Sequence, residues 1–168
     1  MYDKIMNKYR WESFSKDFFV DYQNLATFNG VQNQRFLFVQ TAIGLFNDGE
    51  KEKAVEILDK MQVAFPEKNF PLNTSSLYSV SEMMLIQAIE IYIECDQSEK
   101  AVDLAQRFLD ETFLSLKLFG TPYGETIISS YDLQNAYNLY TYTVDMITPV
   151  APEVAEKYNT QLNAFLGE

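Results

Sequence analysis

Few side chains in this sequence could do chemistry, and the best placed are two carboxylates, Glu90 and Glu94, one turn apart if their segment is helical. Such a pair can flank a glycosidic bond or hold a hard cation. A carboxylate-only glycoside hydrolase would further need two carboxyls converging in a pocket, about 5 to 9 Å apart. The ordinary role of an i,i+4 acidic pair is a solvated helix face, and that is the reading adopted. Cys95 follows directly, near a predicted helix C-terminus where the dipole disfavours a thiolate, and it reads as a small buried side chain. Histidine is absent from all 168 residues and cysteine occurs once. Those two facts remove Ser-His and Cys-His nucleophiles and any zinc site built on Cys and His. Gly120 and Gly124 bracket a Pro-Tyr turn but lack the lysine of a phosphate-binding loop. The chain by itself is therefore expected to be no enzyme, with no catalytic residue, metal or cofactor.

Charge narrows the partners. With 24 acidic against 13 basic residues the net charge is -11, a surface that repels phosphate backbones and anionic lipids alike. Nucleic acid is not an expected partner. A chain of this length, 47% hydrophobic and 22% charged, has the make-up of one globular domain. The most apolar stretch, Met83 to Ile93, is interrupted by Gln87 and Glu90 and is far shorter than the roughly 20 residues that span a bilayer. No direct membrane insertion of this segment is expected. Met1-Tyr-Asp-Lys also lacks the basic start and apolar core of a signal peptide.

The elements that would position these groups read as helices. Tyr2, Ile5, Met6 and Tyr9 fall at helical spacing ahead of Trp11, predicting a short amphipathic helix, and residues 12–31 read as an irregular lead-in. Phe38, Ala42 and Leu45 predict a helix from about Asn33 that the turn signal Asn47-Asp48-Gly49 closes. Ala54, Ile57, Leu58, Met61 and Phe65 make the stripe of a second helix, which Pro66 stops. Pro66 to Ser76 reads as a loop, and Ser79-Val-Ser-Glu82 as a capping box that opens the next helix. The pattern then begins again. Leu85, Ile89 and Tyr92 repeat Phe38, Ala42 and Leu45 at an offset of 47 residues, and Glu99-Lys-Ala-Val-Asp-Leu-Ala-Gln-Arg107 repeats Glu52-Lys-Ala-Val-Glu-Ile-Leu-Asp-Lys60. Leu133, Tyr137, Tyr140, Val144 and Ile147 line a long third-pair helix ended by Pro149, and Val154, Tyr158, Leu162 and Phe165 line a last one opened by Pro152. An internal repeat of this kind marks stacked hairpins, each hiding its apolar face only against a neighbour. The expected architecture is all-α, one domain over 1–168: lead-in 1–31, repeats at 33–68 and 79–116, and a degenerate terminal pair at 129–166.

From Arg35 to Lys68 the sequence resembles a tetratricopeptide repeat, with Ala42 and Ala54 at the close helix approaches, Gly49 in the turn and Pro66 closing the unit. The second unit keeps Tyr92 and Ala101 but has Asp96 for the turn glycine and Phe113 for the proline. In such arrays the first helix of each hairpin lines a concave groove. The resemblance thus implies a partner-binding surface from Arg35, Val39 and Ile43, then Gln87, Glu90 and Glu94, to which the turn residue Tyr123 adds an exposed aromatic. Tyr137 and Tyr140, on the stripe with Leu133, Val144 and Ile147, are expected in the core.

A narrower likeness joins the ends to the repeat. The opening Met1-Tyr-Asp-Lys-Ile-Met-Asn-Lys-Tyr-Arg-Trp11, the Glu52–Lys60 stretch and the link Phe65-Pro-Glu-Lys-Asn-Phe-Pro71 together resemble the C-terminal region of large bacterial multi-pass membrane proteins similar to GT-C-type protein O-mannosyltransferases. That resemblance implies a soluble, tetratricopeptide-like tail on the extracytoplasmic face, tethered through a membrane part outside this sequence. Its partner would be a protein or that membrane part. The alternative is a free-standing cytosolic adaptor that binds a peptide.

Overall fold

The computed structural model describes residues 1–11, 16, 31–72, 80–121 and 130–167. Among them the chain is all-α, without a strand: α1 (Lys4–Lys8, a single π turn), α2 (Val31–Asn47), α3 (Lys51–Ala64), α4 (Val80–Glu94), α5 (Ser98–Phe119), α6 (Ser130–Ile147) and α7 (Pro152–Leu166). The irregular lead-in at 12–15 and 17–30, the loop residues Asn73 to Ser76, the capping-box residue Ser79, and Tyr123 with Gly124 lie outside the described residues.

The repeat extends down to individual hydrogen bonds. After α2 the Gly49 amide donates to the Phe46 carbonyl at 2.9 Å and the Glu50 amide to the Leu45 carbonyl at 2.8 Å. After α4 the Asp96 amide donates to Ile93 at 3.0 Å and the Gln97 amide to Tyr92 at 2.8 Å, the same two bonds 47 residues on. This is a Schellman termination, and it needs a left-handed residue after the helix. Gly49 supplies it at φ 81°, and Asp96 at φ 58°. Glu50 and Gln97 then begin the next helix, their carbonyls accepting from the Ala54 and Ala101 amides at 3.0 Å each. Both alanines are fully buried. The absence of a longer side chain there lets the second helix of each hairpin lie close to the first.

Core positions match in the same register, with sizes traded between copies. Phe38 and Leu85, Val39 and Ile86, Ala42 and Ile89, Ile57 and Leu104, Leu58 and Ala105, and Met61 and Phe108 are all buried, each pair 47 residues apart. Such volume exchanges keep a helix pair packed while changing which neighbour it prefers. α2 packs against α3 and α4, α4 against α5, α5 against α6, and α6 against α7. The first junction thus rests mainly on two leading helices, with a lesser contact of α3 on α4, whereas the second rests mainly on a trailing helix against a leading one.

Proline explains that difference. Pro66 cannot continue α3, so the chain leaves the helix at Phe65 and folds back, burying Phe70 and Leu72. At the equivalent place α5 has Phe113 and runs on, reaching 22 residues against the 14 of α3. The added turns bury Phe113, Leu116 and Phe119. Phe113 lies 6.0 Å from Tyr140 and 5.8 Å from Phe165, ring centre to ring centre, and so seats the third pair. The Tyr140 hydroxyl donates to the Tyr158 carbonyl at 3.0 Å, and the Tyr158 hydroxyl donates to Asp110 at 3.0 Å.

The N-terminal segment docks on the first hairpin. Ile5 is buried and Trp11 nearly so, its indole N–H donating to the Ile5 carbonyl at 2.9 Å and its ring 4.9 Å from that of Phe38. Tyr9, expected on the apolar face, is instead 44% exposed, because the turn ends at Lys8 and Tyr9 is already in extended backbone, its ring edge-on to Trp11 at 5.7 Å. Leu133 departs from its predicted stripe in the same way, being exposed near the start of α6, one helical turn before the buried residues of that face begin.

Candidate functional site

The two leading helices, α2 and α4, lie side by side and leave an open groove of about 200 Å³ lined by Ile43, Phe46, Gln87, Glu90, Ile91 and Glu94. Helix geometry determines which residues reach it. On α2 the row at Arg35, Val39 and Ile43 advances about 40° around the helix with every four residues, so it crosses from the core side to the groove edge. Ile43 is half-buried at that edge. Arg35 is only 3% exposed and Val39 fully buried, so neither offers a surface to a partner. Arg35 acts instead as a clasp. Its guanidinium donates to the Pro71 carbonyl at 2.7 Å and to the Phe70 carbonyl, and lies 5.9 Å over the Phe65 ring, which ties the chain after Pro66 back to α2. Tyr123 is outside the described residues.

Four of the seven predicted residues, Ile43, Gln87, Glu90 and Glu94, therefore line one groove. Phe46 and Ile91 complete its lining and were not foreseen. Gln40 and Met84 bridge the two helices beside it, the amide nitrogen 3.8 Å from the sulfur. The internal repeat carries a signal for Gln40, since it occupies in the first copy the place of Gln87 in the second. At the turn end, the Lys51 ammonium donates to the Glu94 backbone carbonyl at 2.6 Å and lies 5.7 Å over the Phe46 ring. Glu90 and Glu94 are exposed. The Gln87 side-chain oxygen is enclosed and has no hydrogen-bond donor.

Beside this groove Cys95 is buried, and burial holds its thiol above the ordinary value against the opposing field of Lys51. It is a packing residue. Among the described residues no three Cys, Asp or Glu side chains gather in an arrangement that could hold a metal ion, and no helix is long and apolar enough to cross a membrane.

The densest polar cluster lies on the far side of α4 and is spent on joining helices. The buried Tyr92 hydroxyl donates to Asp59 at 2.9 Å and accepts from the Gln62 amide at 2.8 Å, while Lys100 donates to the other Asp59 oxygen at 2.7 Å. Arg107 donates to Gln62, Glu67 and Asp103. Burial first, and then Asp59, push the Tyr92 hydroxyl well above the usual phenol range, so it stays protonated and donates. Every member of this cluster has a partner within the fold, and Asp59, Gln62, Lys100 and Asp103 also line an open groove of about 400 Å³ over α3 and α5. Comparison with protein-family models, curated proteins and solved structures gives no match.

Proposed function

We propose that this chain is a non-catalytic helical-repeat interaction domain, its hairpins stacked in the manner of tetratricopeptide units and its working surface the groove between α2 and α4. One observation carries the reading: the leading helices of two matched hairpins stand side by side, with an apolar floor and an unpaired polar rim between them. The wider groove over α3 and α5 is lined by side chains already paired within the fold, Asp59, Gln62, Lys100 and Asp103 among them, so the groove between α2 and α4, with its unpaired carboxylates, is the better surface for a partner. That partner is a polypeptide, either a separate protein or another part of the same one.

We further place the domain as the soluble tail of a membrane-bound glycosyltransferase-like protein on the extracytoplasmic face. The docking of the opening segment supports this, since Ile5 and Trp11 are core residues of the first hairpin and the string that carries the resemblance belongs to the folded unit. An antiserum against this domain, applied to fractionated native cells, should detect a membrane-bound protein several times heavier than 19.5 kDa. A soluble species of this size would overturn the tail assignment and favour a free-standing adaptor.

A further inference from the structure

Three features of the α2/α4 groove bear on the chemistry of its occupant. The floor, from Ile43, Phe46 and Ile91, is apolar. The α4 rim carries Glu90 and Glu94, both exposed and one turn apart, and α2 from Phe36 to Asn47 contains no charged residue to answer them. Lys51 lies at the turn end of this rim, its ammonium on the Glu94 backbone carbonyl and over the Phe46 ring, so the rim sets two carboxylates against one ammonium and stays net anionic. The third feature is the Gln87 side-chain oxygen, enclosed without a donor, a condition that costs free energy and that a rotation of the amide towards the groove would relieve by presenting the oxygen to a ligand N–H. Apolar floor, anionic rim and orphaned acceptor describe the complement of a peptide that is cationic, aliphatic and rich in N–H donors.

The geometry points to a basic, aliphatic polypeptide segment as the ligand: a Lys or Arg set against Glu90 and Glu94, an aliphatic neighbour on Ile43, Phe46 and Ile91, and a backbone N–H directed to the Gln87 oxygen. This deepens the interaction-domain reading and rests on it. Charge complementarity of this kind sets specificity and association rate, and it makes binding sensitive to salt.

The test is to pan a random dodecapeptide phage library on the full chain and measure the selected peptides by fluorescence anisotropy. The selected sequences should place Lys or Arg beside an aliphatic residue. Glu90→Gln with Glu94→Gln should weaken binding by about tenfold, because both charges facing the ligand are lost. Glu153→Gln with Glu156→Gln removes the same charge from exposed sites on α7 and should change binding less than about twofold. Gln87→Ala, at a partly exposed position, gives a second readout with little risk to folding, and should also weaken binding. Selection of acidic or uncharged peptides, or equal weakening by the two glutamate pairs, would overturn the proposal. Binding that responds to Val63→Glu on the outer face of α3, and not to Glu90 and Glu94, would overturn this groove while leaving an interaction domain standing. A library from which nothing is enriched would sink both.

Discussion

The first and second hairpins begin alike and end differently. Their turns use the same hydrogen bonds, and their second helices start with the same buried alanine, yet α3 stops at Pro66 while α5 continues through Phe113. The early stop folds the chain back under the Arg35 clasp, and the continuation builds the seat for α6 and α7. One position in the repeat therefore decides whether a hairpin closes on itself or extends the array. The shared turn governs local geometry, and the divergent exit governs which helix the next pair meets.

The most severe way to break this comparison is to give the second hairpin the first one's proline. Phe113→Ala should cost about 3 to 5 kcal/mol for the buried ring, and Phe113→Pro roughly 3 kcal/mol beyond that for the interrupted helix, both read by urea unfolding. The reverse exchange, Pro66→Ala, should change stability by under about 1 kcal/mol, since it removes a stop without removing a core contact. Equal effects at the two positions would mean that the exits are not what distinguishes the hairpins. Ala54→Leu and Ala101→Leu should each cost about 1 to 3 kcal/mol by overpacking the same close approach. A large effect at one alanine and none at the other would break the equivalence of the two copies.

Much of this was legible in the sequence because a repeat states its own register. The 47-residue offset by itself aligns Ala54 with Ala101, the two turns with each other, and Pro66 with Phe113. The junctions were not legible. Whether α4 leans on α2 or on α3 depends on side-chain shape across helices distant in sequence, and periodicity within one helix is silent on that. Trp11 escaped for a similar reason, its partners Phe38 and Phe65 being far along the chain. For the groove, the i,i+4 row correctly included Ile43 but ran into the core at Arg35 and Val39, since such a row winds around the helix instead of following one face.

Smaller effects sharpen the comparison at the turns. Gly49→Ala should destabilise by about 1 to 2 kcal/mol, because φ is positive there and an L side chain resists it although space is open. Asp96→Gly should stabilise by roughly 0.5 kcal/mol, relieving the one positive-φ residue other than glycine among those described. Thermal melts that moved the same way for both would mean that the turns are not copies.

The alkaline limb of stability probes the core tyrosines of the second and third pairs. Burial is the leading cause of the raised hydroxyl values at Tyr92, Tyr140 and Tyr158, with Asp59 or Asp110 adding to it. A value raised in the folded state means the stabilisation is complete below about pH 10, where an unfolded tyrosine titrates, and is lost as pH climbs past it. Tyrosinate absorbance should therefore show a late phase that coincides with loss of helical circular dichroism. Complete ionisation before any loss of helix would contradict the burial described.

The central claim, that the leading helices of the two hairpins lie side by side, is tested most directly by cross-linking. In a Cys95→Ser background, Gln40→Cys combined with Met84→Cys should be joined within one chain by a short bismaleimide, since those side chains touch at 3.8 Å. A control pair of Gln40→Cys with Leu114→Cys, on helices that do not share a junction, should stay unjoined. Rapid joining of the first pair alone is the predicted result, and failure of that pair, or equal joining of both, would contradict the arrangement.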